Sequence, residues 1–178
     1  MTTAEELVEV VDADGVAQHV VTRAAMRAGN RRHRATYVVV RRRDGAILTH
    51  QRAPWKDIWP NRWDVAFGGV CDVGEPWVAA ARRELAEEAG VAVAPDALVD
   101  LGPVCFESAE TRVVGRVFGT EHAGPFTFPD GEVVAHAWVP LAGLSAWAAA
   151  HTLCADAAAV VVPVVLDAWC DEDARGAD

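Results

Sequence analysis

The chain has 178 residues, an apolar fraction of 52%, a charged fraction of 24% and a formal net charge of -10. That length carries one domain, residues 1–178, with a core that needs no disulfide staples, and the acidic balance argues against a nucleic-acid polymer as partner. No window reaches the roughly 18 uninterrupted apolar residues of a membrane span; the longest candidate, 157–166, is shorter and contains Pro163.

Residues 6–11 alternate as a strand, 12–15 (DADG) signal a turn, and 16–22 return, so the chain opens with a hairpin. Residues 23–30 read as a short helical crossing closed by Gly29-Asn30. The β-branched run in 33–42 predicts a buried strand, and Arg43-Asp44-Gly45 turns it into a partner strand over 46–51. Residues 52–64 are irregular and hold Trp55, Trp59 and Trp63, so this loop either packs or lines a pocket. A short strand, 65–67, leads into Gly68-Gly69. A helix then runs from Pro76, at a favoured first position, to Gly90, a C-terminal stop. Residues 96–107 and 112–120 predict two strands around a turn at 108–111, and 125–131 a loop. Residues 132–139 alternate as a last strand, 141–149 and 152–170 read as helices, and the charged tail 171–178 is expected to fray.

Cys71, Cys105, Cys154 and Cys170 are scattered without a CxxC pair. That pattern suits buried thiols in a reducing cytoplasm rather than a zinc cage or a disulfide framework. Glu5 and Glu6 stand where a secretory leader would be basic. Arginines concentrate between positions 23 and 62, while acids dominate from Asp64 onward. An acidic protein acting on an anionic substrate needs cations between the two, either arginines or a divalent metal.

The chemistry concentrates in residues 69–91. Val78, Ala81, Leu85 and Ala89 recur at helical steps and mark a buried stripe. Glu84, Glu87 and Glu88 stand at i, i+3 and i+4, so their carboxylates project from a common side and repel unless a cation compensates. Oxygen-only ligands favour a hard ion, Mg²⁺ or alternatively Mn²⁺. A bare ExxEE is better read as a solvated acidic face on a surface helix. The wider pattern decides between them. Gly69, Glu75, Arg83, Glu84, Leu85, Glu87, Glu88, Gly90 and Val91 fill the signature G-x5-E-x7-R-E-U-x-E-E-x-G-U, where U is aliphatic, and so the segment resembles the Nudix hydrolase superfamily.

The resemblance implies an α/β fold: an α/β/α sandwich with a mixed central sheet, here preceded by an N-terminal hairpin extension over about residues 1–30. It implies Mg²⁺-dependent hydrolysis of the diphosphate linkage in a nucleoside di- or triphosphate or a nucleoside diphosphate derivative. The implied metal ligands are Glu84, Glu87, Glu88 and the Gly69 carbonyl, with Glu75 and Arg83 paired to brace the loop against the helix. The carboxylate that takes the water's proton is Glu84 or Glu87 within the motif, or Glu132 on a distant loop, with Glu107 and Glu110 weaker candidates. Arg27, Arg52 or Arg62 could grip phosphates, and Trp63 belongs to a tryptophan set that could stack a base. The implied partner is a small diphosphate; a homodimer is compatible with the resemblance.

The N-terminal pattern and the WPNRWDVAFGG loop also resemble the branch related to isopentenyl-diphosphate isomerase. That branch offers the rival reading of an isomerase. Its members need a cysteine just before the glycine that opens the motif, the cysteine being followed by Gly-His; here the stretch reads Phe67-Gly68-Gly69-Val70, with neither the cysteine nor the histidine. Cys71 is shifted, and His33 at a strand start is more often structural. A non-catalytic binding module is the third reading, disfavoured because every motif glutamate is present.

Overall fold

The computed structural model describes residues 5–175, with side chains through Trp169. β1 (Leu7–Val11) and β2 (Ala17–Thr22) form the opening antiparallel hairpin, and α1 (Arg23–Ala28), capped by the Thr22 side chain on Ala25 N–H, follows directly. β3 (Arg32–Arg41) is the axis of the molecule. Along one edge it pairs in parallel, residue for residue, with β7 (Arg112–Glu121), which pairs antiparallel with β6 (Val99–Glu107). Its other edge is shared. β1 touches it at His33, and β4 (Ala46–Arg52) touches it only at Arg41. Between these points β3 and β4 splay, and residues 67–70 wedge into the gap through bridges Val38–Phe67 and Ala35–Val70. β4 continues the sheet into β8 (Val133–Pro140), with the two-residue β5 (Trp63–Asp64) at its end.

Side chains alternate across this sheet, as the strand repeat dictates. Ala35, Tyr37 and Val39 face α3 (Leu144–Ala150) and α4 (Val162–Arg175), in a core with Leu144, Val165 and Trp169. Val38 and Val40 face α2 (Trp77–Ala89), in a core with Ala81, Leu85 and Ala89. The result is a mixed sheet between helical layers.

Several expectations need adjustment. Residues 65–67 do not form a continuous strand; β5 lies just ahead and only Phe67 bridges, because β3's edge there is taken by the wedge. Pro76 is the cap of α2 rather than its first residue. Val78 is only partly buried. Residues 152–170 turn helical at 155–156, pass through a π-turn, Ala157–Val161, and continue as α4 with Pro163 in its first turn. α4 continues to Arg175, through the first residues of the stretch expected to fray, while 176–178 lie outside the described residues. Cys71 and Cys154 are buried, but Cys105 is exposed because it alternates with inward-facing Val104 on β6, which pairs only with β7. Cys170 lies outside the described side chains. No helix among the described residues is long and apolar enough to cross a membrane.

Candidate active site

The wedge sets the floor of the site. Thr36 N–H donates to Gly69 O at 3.0 Å and Cys71 N–H to Arg34 O at 3.0 Å. A side chain at Gly68 would place Cβ 1.9 Å from Thr36 O, so only glycine passes β3 this closely. At Gly69 it would lie 2.7 Å from both Glu84 carboxylate oxygens. The acidic helix therefore rests directly on the glycine pair.

α2 carries the first acids. Glu84 and Glu88 are one turn apart and buried, each 8% exposed. Glu88 accepts from Gly68 N–H at 3.0 Å. Burial, then the charge of Glu84, pushes its carboxyl up to about 8. Burial also raises Glu84, against the opposing charge of Arg83. Glu87 does not share this setting. At 100° per residue it lies a quarter turn from Glu88, and its side chain is 58% exposed at the rim.

Arg83 ties the segment together. It makes a two-pronged pair with Glu75, Nε to Oε1 at 3.0 Å and a terminal nitrogen to Oε2 at 2.9 Å. It also donates to Glu84 at 2.8 Å, to Glu87 at 3.2 Å and to Val70 O at 3.2 Å. Glu75 in turn accepts from Asp72 N–H at 3.0 Å, closing the loop before the helix.

A second group of acids arrives from the loop before β8. Gly90 ends α2 in the left-handed conformation, φ 68°. Its missing side chain leaves room for Thr127, whose N–H donates to Ala89 O at 3.3 Å. Glu132 O accepts from Ala53 N–H at 2.8 Å, and Glu132 N–H donates to Asp130 Oδ1 at 2.9 Å. So anchored, the loop brings carboxylate oxygens of Asp130 and Glu132 to within 4.8 Å of each other and of Glu88. Lys56 contacts the Glu132 carboxylate. Burial raises Asp130 as well. Asp130 was not singled out in the sequence, although its place two residues before Glu132 across a glycine marks a tight acidic turn.

These acids line a cleft of about 480 Å³ together with Arg23, Arg27, Arg52 and Lys56. Buried carboxylates with raised proton affinity, close-set oxygens and no nitrogen or sulfur donor suit a hard divalent cation. The Gly69 carbonyl, engaged by Thr36 N–H, is turned into the sheet. Arg62 and Trp63 are not brought to this cleft: Arg62 donates to Leu153 O at 3.1 Å, and Trp63 packs edge-on against Trp147 with ring centroids 5.4 Å apart. Glu107 pairs with Arg32 and Arg112, and Glu110 with Ser108, at the far end of the β6–β7 hairpin. His33 is buried, with Nδ1 2.9 Å from Arg31 O and its pKa lowered by burial to about 4. Burial raises the Cys71 thiol to about 12.

A family model described as the NUDIX domain matches residues 31–158. The uncharacterized Nudix hydrolase YfcD of Escherichia coli K12 is 37% identical over 134 residues, covering 75% of this chain and 73% of that protein. An uncharacterized Nudix hydrolase of Yersinia pestis is 38% identical over the same length, with 75% and 72% covered. Among solved structures, DR0079 from Deinococcus radiodurans superposes with a TM-score of 0.72 at 24% identity, over 92% of this chain and 99% of that one. The NUDIX domain of Shewanella oneidensis NrtR, complexed with ADP ribose, superposes with a TM-score of 0.61 at 17% identity, over 83% and 99%.

Proposed function

The chain belongs to the NUDIX domain family, and from that premise we propose that it hydrolyses the diphosphate linkage of a nucleoside di- or triphosphate, or of a nucleoside diphosphate derivative, with Mg²⁺ or alternatively Mn²⁺. The family and its hydrolase-named relatives make it a hydrolase of pyrophosphate bonds. The nucleoside and the metal are our reading.

One observation carries that reading. Oxygens of Glu88, Asp130 and Glu132 converge within 4.8 Å in a cleft that also holds arginines. Glu84, Glu88, Asp130 and Glu132 would hold the cation, with Glu87 at the rim. When bound, the cation neutralises the diphosphate and lowers the pKa of a water at neutral pH. The protein's own residues do the rest. Arg83 holds Glu84 in place and keeps the rim glutamate turned back along the helix. Glu132 takes the proton of the attacking water on a carboxylate oxygen, and Lys56, paired with that carboxylate, keeps it ionised and in position beforehand. Arg52, lining the cleft, binds a phosphate oxygen. The isomerase reading loses support from Cys71: a buried thiol with a pKa of about 12 is poorly suited to move a proton.

The test is a panel of purified protein with Mg²⁺ against nucleoside di- and triphosphates, nucleotide sugars, dinucleotides and ADP-ribose. ADP-ribose is included because the NrtR domain binds ADP ribose. Turnover of at least one member is expected, abolished by EDTA. No turnover of any member overturns the proposal.

A further inference from the structure

Behind the wedge, on the α4 side of the sheet, lies a second and smaller recess of about 90 Å³, with Tyr37, Asp64 and Asp156 in its lining. It meets the acidic cleft at Gly68, Gly69 and Val70, where β3 and β4 splay. Arg27 and Arg52 line both spaces, so both stand at the neck between them.

Each guanidinium keeps an unfilled donor there. Among the described residues six side-chain polar atoms are buried without a hydrogen-bond partner, and Arg27 Nε, Arg52 Nε and Thr36 Oγ1 are three of them. All three belong to residues lining the recess. The Arg52 side chain makes one hydrogen bond, to Ile58 O at 3.2 Å, and no ion pair among the described residues; against burial, the charges of Asp64, Glu88 and Glu132 raise its pKa. Arg27 has Asp57 at 3.5 Å from Nε, but that carboxylate is 61% exposed and too far for a hydrogen bond. Burial, and the charges of Arg23 and Arg52, lower the pKa of Arg27. Two guanidinium groups that repel each other, each with a buried unfilled donor, suit a dianionic oxygen ligand. Asp57 offsets the charge of Arg27, and Asp64 with Glu88 and Glu132 that of Arg52, but none of them fills the two buried Nε–H donors.

We propose that Arg27 and Arg52 clamp the substrate phosphate that lies away from the acidic cluster, at the neck of the inner recess. This rests on the reading of the cleft as a diphosphate site. Its consequence concerns the N-terminal extension. Arg27 lies on α1, outside residues 31–158, so the hairpin and α1 complete the substrate site rather than decorate the domain. Met26, buried against Val8 and Val70, fixes α1 to the wedge and so sets the position of Arg27.

The clamp is tested without turnover and without metal. Inorganic pyrophosphate is titrated calorimetrically into the full-length protein in EDTA. Wild type is expected to bind, and Arg27→Ala and Arg52→Ala each to weaken binding about tenfold or more. Arg27→Lys should recover part of the loss. Arg82→Ala, removing an exposed arginine that donates to Val93 O, should leave binding unchanged. In turnover assays Arg27→Ala should raise KM with little change in kcat. Thermal unfolding checks that each variant folds; if Arg27→Ala does not, Arg27→Gln carries the test. Unchanged pyrophosphate affinity and unchanged KM in a folded Arg27 variant overturn the clamp, even if hydrolysis proceeds. Arginine-dependent pyrophosphate binding with no turnover of any diphosphate would instead leave the clamp standing and remove the hydrolase reading.

Discussion

Replacing Glu88 by Gln should stabilise the metal-free protein at high pH while removing its response to Mg²⁺. Glu88 is buried, beside Glu84, with Gly68 N–H as its hydrogen-bond donor. Its pKa rises from the usual 4.5 to about 8. The folded state therefore holds a proton that the unfolded chain gives up, and stability falls as pH climbs through that interval. Fully ionised and without a cation, the site costs about 5 kcal/mol at most, less whatever relaxation and water entry recover. Gln keeps the shape and the acceptor for Gly68 N–H but cannot ionise. In EDTA the variant should exceed wild type by roughly 2–5 kcal/mol at pH 9, and by less than about 1 kcal/mol at pH 5. With Mg²⁺ the order reverses at pH 5, and at pH 9 the gap narrows. A ligand at a hundredfold excess over its Kd adds about 2.7 kcal/mol to wild type, and the variant gains little. Urea unfolding at both pH values, with EDTA or Mg²⁺, reads all of this. A variant less stable than wild type at pH 9 in EDTA, or stabilised as much by Mg²⁺, would refute the reasoning.

Glu132→Gln should lower kcat by at least tenfold, roughly 1.4 kcal/mol of barrier, with Mg²⁺ present in excess; a smaller loss moves the proton-accepting role to Glu84 or Glu87. Arg83→Lys cannot keep both prongs of the Glu75 pair and the bonds to Glu84 and Val70, so Mg²⁺ affinity by calorimetry should fall about tenfold, as for other residues that orient metal ligands. Gly90→Ala forces a side chain into φ 68° and sets Cβ 1.9 Å from Thr127 Oγ1; it should cost about 1–2 kcal/mol and lower activity by moving the Asp130–Glu132 loop. Adding Thr127→Ala should restore activity more than stability, because it removes the clash but not the strained φ.

The β-branched run of β3, the Asp44-Gly45 turn and the apolar stripe of α2 were legible because local patterns report local structure. The parallel pairing of β3 with β7 was not, since alternation reveals a strand but neither its partner nor its direction. Pro163 signalled a break in the last helix without indicating that a π-turn would precede it. The spacing of Glu84 and Glu88 located the acidic helix, yet the same spacing grouped Glu87 with them although it turns to the rim. Asp130 reaches the cluster only because Thr127 docks on the end of α2 and Glu132 on Ala53 just past β4, contacts that join distant parts of the chain. Arg62 and Trp63 had the right chemistry for a substrate site, but β5 and its bridge to Leu153 turn them to the other side of the sheet.

Hydrolysis in H₂¹⁸O tests the central claim most directly. The protein, Mg²⁺ and a turned-over nucleoside diphosphate derivative should yield one product phosphate carrying a single ¹⁸O, with no label in EDTA and far slower labelling by Glu88→Gln. Products without ¹⁸O, or interconversion of isopentenyl and dimethylallyl diphosphate in place of cleavage, would contradict it.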